Sequence, residues 1–436
     1  METIIDNTIY RCKKLISPRT GIMKRIISIN RGNNDPKIVS YGVSIGDTTY
    51  LGGEFFEGRS SGCAFTQIDG FLSTIGETVE RYSPAFYNLK NCVFGSYNNF
   101  QAHAIHPREF ALYHDQQFDY YKKQNFRIRK FQEDTEIYWT HCLDLTNKKE
   151  VLCPCTYIYL PWSSDKNPIM FGASTGLAAH TNYYKAVLTA LFEVIERDSF
   201  VITWHNKITN RKIKISSEIS RYIKSVFPND YEWHFFDITY DLGVPSVFSI
   251  CLGKAEYGNF IIVSTATRYT MSEAIKKVIL ETAQSVPYYR YLHSKRKDWI
   301  PDSDFNKLMN FEDHSLFYNR RPEYLYVFDD WRNAPEKIDV NFGNNSQQIS
   351  TKEQIFNIIL KLKSKGYNVL IKDLTTPDVN QAGFFCVRIV IPQLLPMSGA
   401  YSFYHLGGKR LYEVPEIIGL KKKSFEDLNK FPHPFP

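Results

Sequence analysis

Apolar residues recur at helical spacing in three stretches of the chain, and each stretch carries a pair of oxygen-bearing side chains at i, i+3. In the first, Ile68, Phe71, Leu72, Ile75, Val79 and Phe86 mark a core face, with Ser73, Glu77, Glu80 and Arg81 opposite. In the second, Val187, Leu191, Val194 and Ile195 line one side of a helix containing ALFEVIERDSF at Ala190–Phe200. Glu193, Glu196 and Arg197 there repeat the order and spacing of Glu77, Glu80 and Arg81. The third, about Ser272–Val286, keeps Glu281 and places Gln284 where the second glutamate stands in the others; Pro287 is expected to bend or end it. Thr351–Lys363 also has helical periodicity, and Gln101–Lys130 reads as a helical excursion. Strand patterns fall at Ile38–Ile45, Thr48–Phe56, Glu136–Leu143, Val151–Tyr159, Trp233–Ile238, Ser246–Cys251, Asn259–Thr265, Tyr324–Phe328, Asn368–Lys372 and Phe384–Val390. Two small-residue loops, Gly58–Ala64 and Phe171–Asn182, lead into the first two helices, a place where anions often bind.

Helices and strands are mixed along the chain without a composition break, which predicts one large α+β (mixed α/β) unit. Residues 1–14 read as an N-terminal tail and 15–431 as the domain. Pro432–Pro436, Pro-x-Pro-x-Pro, reads as a C-terminal tail preset to the polyproline II conformation.

Taken alone, the charged helix faces admit two readings. Ordinary i, i+3 and i, i+4 pairs on a solvated surface would look the same. Against that, Thr66, Gly70 and Thr74 share the side of Glu77 and leave room for something to approach. Gly76 costs the helix roughly 1 kcal/mol relative to alanine, which suits a close-approach site. Asp198 falls among apolar positions, so it is expected to have a structural partner, either Arg197 or a distant cation. Arg19 and Lys24, near the turn at Leu15–Ile26, read as solvated cations rather than phosphate ligands.

Composition narrows the classes. With 43% hydrophobic and 15% aromatic residues the 436-residue chain can bury a large core, which argues against long disordered regions. The net charge of +7 is small for this length and no block of like charge exceeds Lys421–Lys423, so nucleic acid is not an expected partner. The eight cysteines are scattered, the only close pair being Cys153-Pro-Cys155, and read as reduced thiols. Neither a signal peptide nor a membrane-length apolar run occurs, and a cytoplasmic location is expected.

Glutamate pairs on helices suit a magnesium ion that is also held by nucleotide phosphates. The sequence has no P-loop and no kinase signature. A di-iron site would want Glu-x-x-His, which neither Glu77 nor Glu193 begins.

Ser73-x3-Glu77-x2-Glu80-Arg81, the loop STGLAA followed by Glu193-x2-Glu196-Arg197-Asp198, and Glu281-x2-Gln284 resemble, in that order, the ATP-binding motifs of the YcaO family. SPRTG at Ser17–Gly21, DLTTPDV at Asp373–Val379, VRIVIP at Val387–Pro392, GGKRLYEVP at Gly407–Pro415 and the terminal PHPFP are similar to one branch of it. That branch is the D component (cyclodehydratase) of thiazole/oxazole-modified peptide synthetases, of the kind serving streptolysin-S-like toxins. The resemblance covers nearly the whole chain.

It implies a single YcaO-type domain whose three motif helices bind ATP and Mg2+, and a reaction that converts Cys, Ser or Thr of a ribosomal precursor peptide to thiazoline or oxazoline. By motif matching it assigns Glu77, Glu80, Glu193 and Glu196 to the metal. Ser73, Arg81, Arg197, Glu281 and Gln284 become nucleotide contacts or their orienters. An arginine common in the family is Val286 here, with Arg290 as its stand-in; Gly62-Cys63-Ala64 replaces the usual Gly-Lys-Gly, and His180 a usual glycine. The carboxylate of Pro436 is expected near the active site. The chain begins almost directly at the YcaO-like region, so a separate E1-like C protein is expected to bind the leader peptide, and an FMN-dependent dehydrogenase to oxidise the azolines. The alternatives are a thioamide- or amidine-forming enzyme of the same family, and a non-catalytic scaffold.

Overall fold

A computed structural model describes residues 8–56, 58–343 and 349–435. Their contacts gather the chain into two compact units. One comprises Met1–Asn30, Val39–Val194 and Ser350–Leu394, the other Arg31–Ile38, Ile195–Ile349 and Leu395–Pro436. The architecture is α+β (mixed α/β), with three sheets among the described residues.

The first unit opens with β1 (Met23–Ile29), β2 (Val39–Ile45) and β3 (Arg59–Ala64), an antiparallel sheet in that order. Two expectations change here. Gly58–Ala64 is mostly the strand β3 rather than a loop. Thr48–Phe56 does not form a strand, because it begins with a 3-10 turn at Thr48–Leu51, and the Thr48 hydroxyl accepts from the Phe56 N–H at 2.8 Å, folding the segment back on itself.

Helix α1 (Gln67–Tyr82) starts at Thr66, whose hydroxyl accepts from the Asp69 N–H, and packs on this sheet. The face it buries is not the large apolar one alone. Gly70, Thr74 and Thr78 are buried, while Ile68 is 42% exposed. A Cβ on Gly62 would fall 2.3 Å from the Thr74 nitrogen, and the Ser60 and Thr78 hydroxyls meet at 2.6 Å. Small residues on both elements therefore let strand and helix backbones approach closely, and Thr74 belongs to that interface rather than to an open polar side.

Strands β4 (Val93–Gly95), β5 (Ile137–Asp144), β6 (Lys149–Pro154) and β7 (Leu177–His180) follow. Within Gln101–Lys130 the helix of any length is Asp115–Lys123. The long helix α2 (Tyr183–Asn206) begins where the Asn182 side chain accepts from the Lys185 N–H at 3.1 Å, and His180 Nδ1 in turn accepts from the Asn182 N–H at 2.9 Å. Its apolar residues are buried on more than one side, as a helix with a weak polar face requires.

The second unit holds β8 (Lys212–Ile213), β9 (Glu232–Asp237), β10 (Ser246–Ala255), β11 (Gly258–Thr267) and β12 (Glu336–Ile338), ordered β11-β10-β9-β8-β12. Helix α3 (Met271–Lys295) lies on β10 and β11, with the Thr282 hydroxyl donating to that of Ser264 at 2.9 Å. Pro287 does not end it. An interior proline costs about 3 kcal/mol, but Tyr289 and Leu292 beyond it are fully buried, and burying two such side chains returns roughly 3–6 kcal/mol. Tyr324–Phe328 lies in a 3-10 helix begun by Pro322 rather than in a strand. The chain then adds β13 (Leu370–Asp373) and β14 (Phe385–Val390) to the first unit, whose larger sheet runs β4-β5-β13-β14-β7 with β6 against β5.

Candidate functional site

In the first unit, α1 presents Glu77, Glu80 and Arg81. The Arg81 guanidinium donates to Glu77 Oε1 at 2.8 and 2.5 Å, a half-exposed pair within one helical turn. Ser73 is exposed one turn earlier. Gly76, read as suiting a close approach, faces β7: a Cβ there would make an ordinary van der Waals contact with the Ala179 carbonyl oxygen, at 3.4 Å.

Glu193, on α2, accepts from the Gly176 N–H at 3.1 Å. This orients the carboxylate and uses an amide of the loop that had looked free to meet phosphate. Gly176 is obligatory, since its φ is +87° and a Cβ would fall 2.1 Å from the Ile389 carbonyl oxygen. Behind that loop lies Arg388 of β14, which falls within VRIVIP but was not among the expected site residues. It is 4% exposed and near enough to Glu193 and Glu80 to interact with both charges. Burial pushes its pKa down to about 10, against the pull of those carboxylates. The signal was present in the sequence as a lone arginine in the apolar run FFCVRIVI.

In the second unit, Glu196 is 9% exposed. Its Oε1 accepts from the Thr265 hydroxyl at 2.9 Å and its Oε2 from the Thr267 N–H at 3.1 Å. Burial pushes its carboxyl up, offset in part by Arg197, Arg268 and the Thr265 hydrogen bond. Glu281 pairs with Lys277 one turn earlier on α3. Desolvation would raise its carboxyl as well, but Lys277, Arg268 and Arg197 together hold it below the usual carboxylate range. Glu196, Arg197, Glu281 and the unanticipated Arg268 thus form one electrostatic group, with Gln284 half-buried one turn along α3.

Arg290 stands apart from them. Its Nη1 donates to Oδ2 of the buried Asp35 at 2.8 Å, and its Nε donates to Glu256. Asp198 finds its partner in Arg410, not Arg197. Arg410 Nη2 donates to Asp198 Oδ2 at 2.7 Å and to Asp241 Oδ1 at 2.9 Å, while Asp198 Oδ1 also accepts from the Leu395 N–H at 3.0 Å.

The C-terminal segment Pro432–Phe435 is buried. Tyr318 Oη donates to the Pro432 carbonyl at 2.7 Å, the His433 N–H donates to Tyr404 Oη at 3.1 Å, and His314 Nδ1 donates to the His433 carbonyl at 2.9 Å. The Arg197 guanidinium lies 4.2 Å from the centre of the Phe435 ring. Pro436 lies outside the described residues.

Among the described residues, no three Asp, Glu, His or Cys side chains converge as a ready-made metal cage. Magnesium bound through nucleotide phosphates does not need one, since one or two carboxylates per ion suffice. Glu193 and Glu196 fit that donor chemistry: both are carboxylates held in place by hydrogen bonds, Glu193 from the Gly176 N–H and Glu196 from the Thr265 hydroxyl and the Thr267 N–H. None of the described helices is long and apolar enough to cross a membrane.

Residues 61–395 match the family model described as YcaO cyclodehydratase, ATP- and Mg2+-binding. No curated protein matches the sequence. Among solved structures, a heterocyclase in complex with substrate and cofactor superposes with a TM-score of 0.78 at 21% identity, over 99% of this chain and 57% of its own. The chain therefore spans little more than half the length of that relative. YcaO from Methanopyrus kandleri bound with AMPPCP and Mg2+ gives 0.61 at 16% identity, covering 90% of this chain and 91% of its own. A chain of the E. coli microcin synthetase McbBCD complex with pro-MccB17 bound gives 0.60 at 15%, covering 96% and 98%.

Proposed function

Because the chain belongs to the YcaO family, we propose that it is an ATP-dependent cyclodehydratase acting on a ribosomal precursor peptide. The side chain of a Cys, Ser or Thr attacks the preceding backbone carbonyl. The oxyanion that forms takes the terminal phosphoryl group of ATP, and loss of phosphate leaves the thiazoline or oxazoline. The amide oxygen departs on phosphate, so one molecule of water is removed per ring while ATP becomes ADP. Phosphorylation turns a poor leaving group into a good one.

In this reading Glu77, Glu80, Glu193 and Glu196 hold Mg2+, which when bound neutralises charge on the triphosphate. Arg81 orients Glu77, and Arg197, Arg268 and Gln284 serve the nucleotide, with Ser73 and Glu281 as further contacts. Arg290, committed to Asp35 and Glu256, takes the most indirect part. The observation that carries the reading is Glu196, a buried carboxylate fixed at both oxygens with two arginines beside it. Desolvation still dominates its energetics, and a bound dication is the charge that would offset it.

The partners in this proposal are an E1-like leader-binding C protein, the precursor peptide and an FMN-dependent azoline dehydrogenase. The E. coli relative, solved as a synthetase complex with a pro-peptide, supports an assembly of that kind. The test is mass spectrometry of the precursor after incubation with this chain, the C protein and Mg-ATP. The expected result is loss of one water mass per ring, abolished by Glu80→Gln or Glu196→Gln. A sulfur-for-oxygen gain would instead favour thioamide formation, and modification that survives both substitutions would favour a scaffold.

A further inference from the structure

Two neighbouring residues of β14 hold the loop before α2 from different sides. Arg388 Nε donates to the Tyr157 carbonyl at 2.9 Å, Nη1 to that of Ser174 at 3.0 Å and Nη2 to that of Ala173 at 2.6 Å. The Ile389 N–H donates to the Gly176 carbonyl at 2.8 Å. Gly176 then turns its own N–H to Glu193 Oε2.

A buried guanidinium that crosslinks three carbonyls is a costly way to hold a loop, because its desolvation has to be offset. Tyr157, Ala173 and Ser174 supply the hydrogen bonds, and Glu193 and Glu80 supply the opposite charge. The planar fork matters as much as the charge, since lysine offers no such geometry.

We propose that Arg388 is a positioning residue: it fixes the Ala173–Gly176 loop so that the Gly176 N–H holds the Glu193 carboxylate in the orientation it would use toward Mg2+. It touches neither nucleotide nor peptide. The inference rests on the assignment of Glu193 to the metal, and it adds a residue outside the three glutamate-bearing motifs.

The test uses the full chain with Arg388→Lys, which keeps the charge and loses the fork, and Arg388→Gln, which loses both. Hydrogen exchange of residues 173–176 without ligand reads the loop directly. The expected result is at least tenfold faster exchange at Gly176 in Arg388→Lys, with unfolding temperature lowered much less than in Arg388→Gln. Calorimetric titration with a non-hydrolysable ATP analogue should then show an Mg2+ requirement shifted about tenfold upward. In a Glu193→Gln background, Arg388→Lys should shift it no further. Wild-type exchange at Gly176 in folded Arg388→Lys overturns the proposal, as does an additive shift in the double variant. If Arg388→Gln fails to fold, Arg388→Lys and Glu193→Gln still decide. Absence of Mg-dependent nucleotide binding by the unaltered chain with its partner overturns the assigned function and the metal-presenting role together. Exchange at Gly176 would then report separately on the loop contact.

Discussion

Replacing Arg410 with methionine isolates the energetics of a fully buried ion group of the second unit. Arg410, Asp198 and Asp241 have side chains 3%, 0% and 2% exposed, and the guanidinium donates to both carboxylates at 2.7–3.1 Å. At an effective dielectric of about 20, an ion pair 4 Å apart is worth roughly 4 kcal/mol. Two such pairs minus the repulsion between the aspartates and the desolvation of all three groups leave little net stabilisation. The asymmetry lies in breaking the group: removing only Arg410 strands two buried carboxylates, which costs about 3–5 kcal/mol. With a guanidinium m-value of about 4 kcal/mol/M, the midpoint of the unfolding transition should fall by about 1 M. Trp204 and Trp331, stacked 5.3 Å apart and buried in the same unit, make intrinsic fluorescence and near-ultraviolet circular dichroism suitable probes. The triple variant Asp198→Asn, Asp241→Asn, Arg410→Met removes the charges together and should recover more than half of the loss. A midpoint lowered by less than about 0.2 M in Arg410→Met, or a triple variant no more stable than the single one, would refute the reasoning.

Three further outcomes follow from other contacts. His205 and His314 are held neutral by burial, with pKa values pushed down to about 4. The unfolded chain takes up protons as pH falls below about 6.5 while these histidines do not, so their contribution is complete above pH 6.5. It is lost between about 6.5 and 4, at roughly 3 kcal/mol each; chemical unfolding at pH 7.5 and pH 5 should show the drop, reduced in His314→Gln. Gly176→Ala should destabilise by at least about 2 kcal/mol through its positive φ and the clash with Ile389, with a lower thermal midpoint as the measurement. Phe435→Leu keeps most of the volume but removes the ring face under Arg197; ATP affinity should fall about 5- to 30-fold, a 1–2 kcal/mol effect, with the far-ultraviolet spectrum unchanged.

What could be read from the sequence was whatever repeats or is expensive. Glutamates inside apolar helices are expensive, and their recurrence at one spacing pointed to Glu77, Glu80, Glu193 and Glu196 before any contact was known. What could not be read was whatever depends on a distant neighbour. Asp198 announced that it needed a cation, yet Arg410 lies far along the chain, and nothing local to Asp198 prefers it over the adjacent Arg197. Strand β3 was hidden because its residues, Arg-Ser-Ser-Gly-Cys-Ala, are small for reasons that reside in α1, where Thr74 leaves no room for a Cβ at Gly62. Arg388 shows both sides. Its place in an apolar strand marked it as costly, but its purpose is distributed over Tyr157, Ala173, Ser174 and, through Gly176, Glu193. A lone charge in a buried run is therefore best taken as a question about which backbone it serves, and here the answer leads back to a glutamate that the repeats had already singled out.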